Sequence, residues 1–140
     1  MATRITASEF PHVIALLQAK LVEAGLGAWE IEPWLTKAGA RLVKDHHDGT
    51  CAYFVEFFEG RPIGMAGALL CEHHSFLSLK TALYGQVVDE YVLSSQRGRG
   101  FERMLRATAV AWITENSATV ILATSPDAAR RAVNSGGGKL

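Results

Sequence analysis

Cysteine is scarce: Cys51 and Cys71 are the only thiols in 140 residues. Two thiols in a chain of this size do not make a disulfide framework. A chain of this length can bury one core without such staples, so 1–140 reads as a single domain. Charge of one sign is missing too, since 14 Lys and Arg balance 14 Asp and Glu. That balance argues against a dedicated nucleic-acid binder, which carries a basic excess. No run of about 18 apolar residues occurs, so no membrane span is expected. No charged-then-apolar leader opens the chain, which leaves a cytoplasmic location as the expectation. Internal repeats and low-complexity linkers are absent as well.

What is present is an alternation of strand-like and helix-like segments. Residues 2–6 read as a short strand. Phe10, Val13, Ile14, Leu17 and Leu21 recur at helical spacing, so 8–24 should be an amphipathic helix. Ser8 would cap it, Pro11 suits its first turn, and Gly25 and Gly27 end it. A second, shorter helix is expected over 33–44, from Trp34, Leu35, Ala38 and Leu42. The aromatic-rich link before it (Trp29, Ile31) is expected in the core or lining a pocket, with core favoured for each tryptophan. The runs 51–58 and 63–73 flank the turn chemistry of "EGRP" and form a hairpin. Residues 75–83 read as a loop with a helical turn, and 85–93 as a strand. A helix follows over 100–117, with Met104, Leu105, Ala109, Trp112 and Ile113 on one stripe. The continuously apolar "ATVILAT" (118–124) suits a strand covered on both faces. Ser125, Pro126 and Asp127 open a last helix over 125–133, and 135–140 are a mobile tail. The order β-α-α-β-β-β-α-β-α is an α/β fold, a mixed central sheet flanked by helices.

One stretch stands out: "SSQRGRGFERML" (94–105), where Arg97, Gly98, Arg99 and Gly100 join a strand to a helix. Glycines let the backbone turn with its amides facing one way. The first amides of the following helix have no internal acceptor and lie at the positive end of its dipole. Together they form a ready anion site, and arginine forks suit phosphate. A solvated loop and an RNA-binding arginine-glycine tract are the competing readings. The tract is disfavoured because such tracts are repetitive, whereas this is one copy between ordered elements.

"VVDEYVLSSQRGRGFERML" resembles the acetyl-CoA-binding motif of the GNAT superfamily of N-acetyltransferases. In that motif a strand ends in Val, and Arg/Gln-x-x-Gly-x-Gly/Ala then opens a long helix. Arg97, Gly98, Arg99 and Gly100 match in place, and the element order over 2–133 matches too. The resemblance implies acetyl-CoA as co-substrate, with its pyrophosphate on the amides of 98–102, including Phe101 and Glu102, and on Arg97. It implies that main-chain groups of Val92 and Leu93 pair with the pantetheine arm. It implies that the strand at 85–93 splays from the strand at 118–124 to admit the thioester, and that residues 8–44 and 73–84 shape the acceptor pocket. Three departures qualify it. Glu102 stands where the motif has a small residue, and it either points away from a pyrophosphate or lowers cofactor affinity. Val133 stands where the family often carries a Tyr that protonates the leaving thiolate. The final hairpin strands are missing, so a second copy completes the sheet as a homodimer, the fold is a minimal one, or the chain is a piece.

Acyl transfer to an amine needs a group that takes the amine's proton. Asp89 and Glu90 are the carboxylates on the central strand. Alternation places Gln86, Val88, Glu90 and Val92 on one face, which the resemblance makes the acceptor side. Glu90 is therefore the first choice for base and Asp89 the second. His46-His47 and His73-His74 do not make a metal site, because adjacent histidines in an extended segment diverge and no ligand sits at a suitable spacing. Cys71 lacks an identifiable base. The expected function is transfer of an acetyl group from acetyl-CoA to a small-molecule or protein primary amine, by direct attack, without nucleic acid or membrane as partner. The alternative is a weak or inactive GNAT-like module that binds acyl-CoA or a protein.

Overall fold

The computed structural model describes residues 2–74, 81–116 and 118–121. Five strands form one sheet in chain order: β1 (Thr3–Arg4), β2 (Cys51–Phe58), β3 (Arg61–His74), β4 (Thr81–Val92) and β5 (Thr119–Ile121). The first four pair antiparallel, and β5 lies parallel to β4. Helices α1 (Phe10–Glu23) and α2 (Ala28–Asp48) cover one face, and α3 (Phe101–Glu115) covers the other. The α/β layout is the one expected. The helix at 125–133, the tail and Val133 lie outside the described residues.

Each face has its own core. On the first, Val13, Leu16 and Leu17 of α1 and Leu42 of α2 bury against Cys51, Val55 and Met65. On the second, Leu105, Ala109 and Ile113, spaced four apart on α3, bury against Ala52, Phe54, Ala68 and Val87. Burial pushes the Cys51 thiol up to about 11. Close packing on the α3 side depends on Gly85, where an added Cβ would lie 2.2 Å from Ile113 Cγ2. Met104 and Trp112, expected on the α3 stripe, flank it half-buried.

Several boundaries differ from expectation for identifiable reasons. Helix α2 runs 21 residues, well beyond 33–44. Gly27, extended at ψ 161°, starts it, and its carbonyl accepts from the Glu30 and Ile31 amides. Pro33 is therefore interior, where it forgoes one backbone bond. Gly49, left-handed at φ 74°, ends it: its amide donates to His46 and the Thr50 amide to Asp45, a Schellman pair. Ser8 does not cap α1, because a 3-10 turn (Ala7–Glu9) precedes that helix and the Ser8 hydroxyl lies 3.0 Å from Thr6 Oγ1. The hairpin turn is only Glu59-Gly60, both at positive φ, which matches a two-residue type I′ loop. Pro62 thus lies within β3, next to a break in register at Glu56/Phe57. Strand β4 begins at Thr81 rather than 85, and 75–80 fall outside the described residues. Trp29 is 78% exposed and Trp34 53%, so neither is core. Trp112 is half-buried with Arg4 over its ring.

Candidate active site

Strand β4 does not alternate evenly. Gly67 pairs with Val88 and Met65 with Tyr91, so Asp89 and Glu90 together oppose Ala66. Asp89 takes up this bulge with φ 52°, a left-handed conformation that Asp tolerates better than most residues. The bulge resets the strand's faces. Val88 and Asp89 line a cavity under α1 and α2, whereas Glu90 faces α3. The expected common face of Gln86, Val88, Glu90 and Val92 is therefore split. The reason is the extra residue, which shifts the period-2 pattern by one.

The two carboxylates have different partners. The Tyr53 hydroxyl donates to Asp89 Oδ2 at 2.5 Å. Burial, and next the Asp89 charge beside it, push the Tyr53 phenol well above its ordinary range, so it stays a proton donor. Their cavity holds about 440 Å³ and is walled by Val13, Leu17, Trp34, Leu42, Leu69 and Val88. Glu90 instead receives both Arg106 Nε, at 2.5 Å, and a terminal guanidinium nitrogen, at 3.0 Å. This bidentate pair holds the Arg106 guanidinium protonated even more firmly than usual.

Beyond the bulge lies a second cavity of about 230 Å³, lined by Glu90, Val92, Arg97, Glu102, Leu105 and Arg106. Glu102 lines this cleft, which is the alternative in which it lowers cofactor affinity. It sits in the first turn of α3, on the same wall as Arg97, and its charge adds to the stabilisation of the Arg97 cation. Arg99 is exposed and Phe101 packs half-buried against the α3-side core.

The loop itself has the expected geometry. Gly98 and Gly100 sit at φ 80° and 88°, with open space where a Cβ would point. Gly100 precedes the first turn of α3, and no side chain caps that turn. Gln96 Oε1 is buried without a hydrogen-bond partner among the described residues. Arg97 departs from expectation. Its Nε donates to the Val92 carbonyl at 2.9 Å and a terminal nitrogen to Glu23 at 2.7 Å. Tyr91 also donates to Glu23, and the Arg97 guanidinium stacks over the Tyr91 ring. The side chain thus clasps the end of α1, and any anion must be held chiefly by backbone amides.

Main-chain availability also changes. The Leu93 amide donates to Ile63 and the Leu93 carbonyl accepts from Gln96, so Leu93 has nothing left for an added strand. Val92, one residue earlier in the ladder, turns its groups the other way. Its carbonyl takes the Arg97 bond, which leaves its amide for that role. Pairing with β5 involves Tyr84, Gly85 and Gln86, and residues 122–124 lie outside the described set.

A strand that leads through a glycine loop into a helix N-terminus is the local context that the motif's resemblance anticipated; the bulge and the two clefts beside it were not anticipated. The model of the acetyltransferase (GNAT) family matches residues 15–134. The chain belongs to the GNAT acetyltransferase family. No curated protein matches this GNAT chain by sequence. Among solved structures it is similar to a GCN5-related N-acetyltransferase from Ralstonia eutropha, with 21% identity, TM-score 0.72, and 97% of this chain and 90% of the other covered. A predicted acetyltransferase from Clostridium acetobutylicum, solved with acetyl-CoA, aligns with TM-score 0.74 at 14% identity, covering 98% and 88%. Aminoglycoside N-acetyltransferase AAC(6')-Iy, in complex with CoA, aligns with TM-score 0.63 at 18% identity, covering 97% and 88%.

Among the described residues no three His, Cys, Asp or Glu side chains are grouped to hold an ion. His46 lies on helix α2, not in an extended segment, and meets Phe10 edge-on at 5.1 Å between centroids. No helix of the described residues is long and apolar enough to cross a membrane. Sequence reasoning missed Tyr53, Glu23 and Arg106. Arg106 lies four residues after Glu102 on one helix face, but no local signal ties it to Glu90 across the sheet.

Proposed function

We propose that this GNAT protein transfers an acetyl group from acetyl-CoA to a primary amine by direct attack, with Asp89 rather than Glu90 as the base. The observation that carries this reading is the bulge, which turns Asp89 alone into the cavity under α1 and α2. The residues present fit acetyl-CoA. The uncapped α3 turn behind Gly98 and Gly100 suits a pyrophosphate, and the Val92 amide and the orphaned Gln96 oxygen suit an extended amide-bearing arm. Bound acetyl-CoA supplies an acetyl group activated as a thioester.

The chain's own residues then do the rest. The cavity walls exclude water from the amine. Asp89 attracts the ammonium and accepts its proton, and Tyr53 keeps the carboxylate oriented. The nitrogen–carbon bond forms as the carbon–sulfur bond breaks; the nitrogen's second proton passes to solvent, and the departing thiolate takes one proton from solvent. Glu90, locked to Arg106, holds the far side of the bulge and takes no proton. Titration calorimetry with acetyl-CoA, followed by thiol release over an amine panel, tests the reading. Binding and turnover are expected, and absence of acetyl-CoA binding overturns it. The second reading, a catalytically weak or inactive GNAT-like module that binds acyl-CoA or a protein partner, draws on Glu102 in the cleft and on Arg97's engagement with Glu23. Binding without turnover of any amine would favour it.

A further inference from the structure

The cavity under α1 and α2 has charges as well as apolar walls. Trp34, Lys37, Ala38, Arg41, Leu42 and Asp45 all line it from α2, at positions that follow one helix face. Arg41, its side chain mostly exposed, pairs with Asp45 3.4 Å away on the next turn. Asp45 in turn acts electrostatically on both Tyr53 and Cys51, so this end of the face lies near the Tyr53–Asp89 pair. With Arg41 and Asp45 paired, the charges left are Asp89 on the sheet and Lys37 on the helix. Lys37 precedes Asp45 by eight residues, a separation of about 12 Å along the axis. The cavity thus offers an anion at one end, apolar walls between, and a cation at the other.

Resting on the acetyltransfer reading, we infer that the acceptor is a primary amine on an apolar body that carries an anionic group at its opposite end. Its ammonium meets Asp89, its body lies against Leu17, Leu42, Leu69 and Trp34, and its carboxylate or similar anion meets Lys37. Polycations such as polyamines and aminoglycosides meet the wrong charge at Lys37 and have little apolar surface for the walls. The lysine contributes to selection, not to the chemical step.

Matched pairs of acceptors test this: 4-(aminomethyl)benzoate against benzylamine, and 6-aminohexanoate against hexylamine, with spermidine as the polycation. The read-out is kcat/KM for thiol release, with acetyl-CoA affinity measured alongside. The carboxylate-bearing member of each pair should be favoured by roughly fivefold, the scale of a partly exposed ion pair. In Lys37→Glu, an exposed helix position, that preference should reverse while acetyl-CoA affinity stays the same. Equal rates within pairs, a ratio unmoved by Lys37→Glu, or spermidine as the best acceptor would overturn the substrate class alone. Turnover of none of these amines, with acetyl-CoA still bound, would do so too. Loss of acetyl-CoA binding in the unmodified protein would overturn the acetyltransfer reading and this one with it.

Discussion

Asp89 and Glu90 are neighbours in sequence and carry the same chemistry, yet one bulge gives them different surroundings. Glu90 meets a guanidinium fork and is fully satisfied as a structural anion. Asp89 meets a phenol and an apolar cavity large enough for a small molecule. The lesson is that a carboxylate's role follows from what its face of the strand packs against, not from its place in a motif. A one-residue slip in strand period is enough to exchange those roles.

Kinetics of the isosteric pair break or sharpen the contrast most directly. Asp89→Asn should lower kcat by about a hundredfold or more, the usual reach of a general base. Acetyl-CoA affinity should persist, and because Asn tolerates the left-handed backbone the fold should too. Glu90→Gln should lower kcat far less and chiefly reduce stability, read by urea denaturation. Equal losses in both variants would dissolve the distinction between the two faces.

The packing difference can be tested next. Gly85→Ala drives a methyl into Ile113 on the α3 side, and should destabilise the protein by about 3 kcal/mol, the upper range for overpacking. The urea midpoint reports it. Gly100→Val should lower acetyl-CoA affinity by about tenfold through a backbone that a β-branched residue resists at φ 88°. Calorimetry that finds the affinity unchanged would put the anion site elsewhere. Removing the misplaced acid should act the other way: Glu102→Ala is expected to raise acetyl-CoA affinity by about threefold at low salt, and less as salt screens it.

The smallest effect concerns the clasp that Arg97 and Tyr91 make with the end of α1. The Arg97 guanidinium, then the Tyr91 hydroxyl, hold the Glu23 carboxyl below its usual range. A carboxyl lowered in the folded state contributes stability that is present above its unfolded value and is lost as pH falls through the folded one. The melting temperature of the unmodified protein should therefore exceed that of Glu23→Gln near neutrality, and the gap should close below about pH 4. A gap unchanged across that range would mean that the clasp contributes nothing.

The sequence revealed the elements better than the site. Helical spacing located α1 and α3, and glycines at 98 and 100 announced a backbone that needs positive φ. Helix α2 exceeds the 33–44 that Trp34, Leu35, Ala38 and Leu42 predict, because its first turns carry few apolar residues at helical spacing, although "DG" at 48–49 carries a C-terminal signal. The bulge left no comparable trace, since alternation is the default for any strand and Asp89 is only a mild hint of a left-handed residue. Tyr53, Glu23 and Arg106 join the site across 36, 74 and 16 residues of chain. Such pairings are tertiary, and no local pattern encodes them.

The spent main chain of Leu93 has a consequence of its own. An extended arm laid along β4 can hydrogen-bond as far as Val92 and no farther, so the strand has an end-stop as well as a rail. From Val92 back to Asp89 is three residues, a run of about 10 Å. On the acetyltransfer proposal, the backbone would thereby set a length standard between the point where an arm leaves the sheet and the Asp89 carboxylate. A donor longer or shorter by one strand residue, about 3.3 Å, would overshoot or fall short.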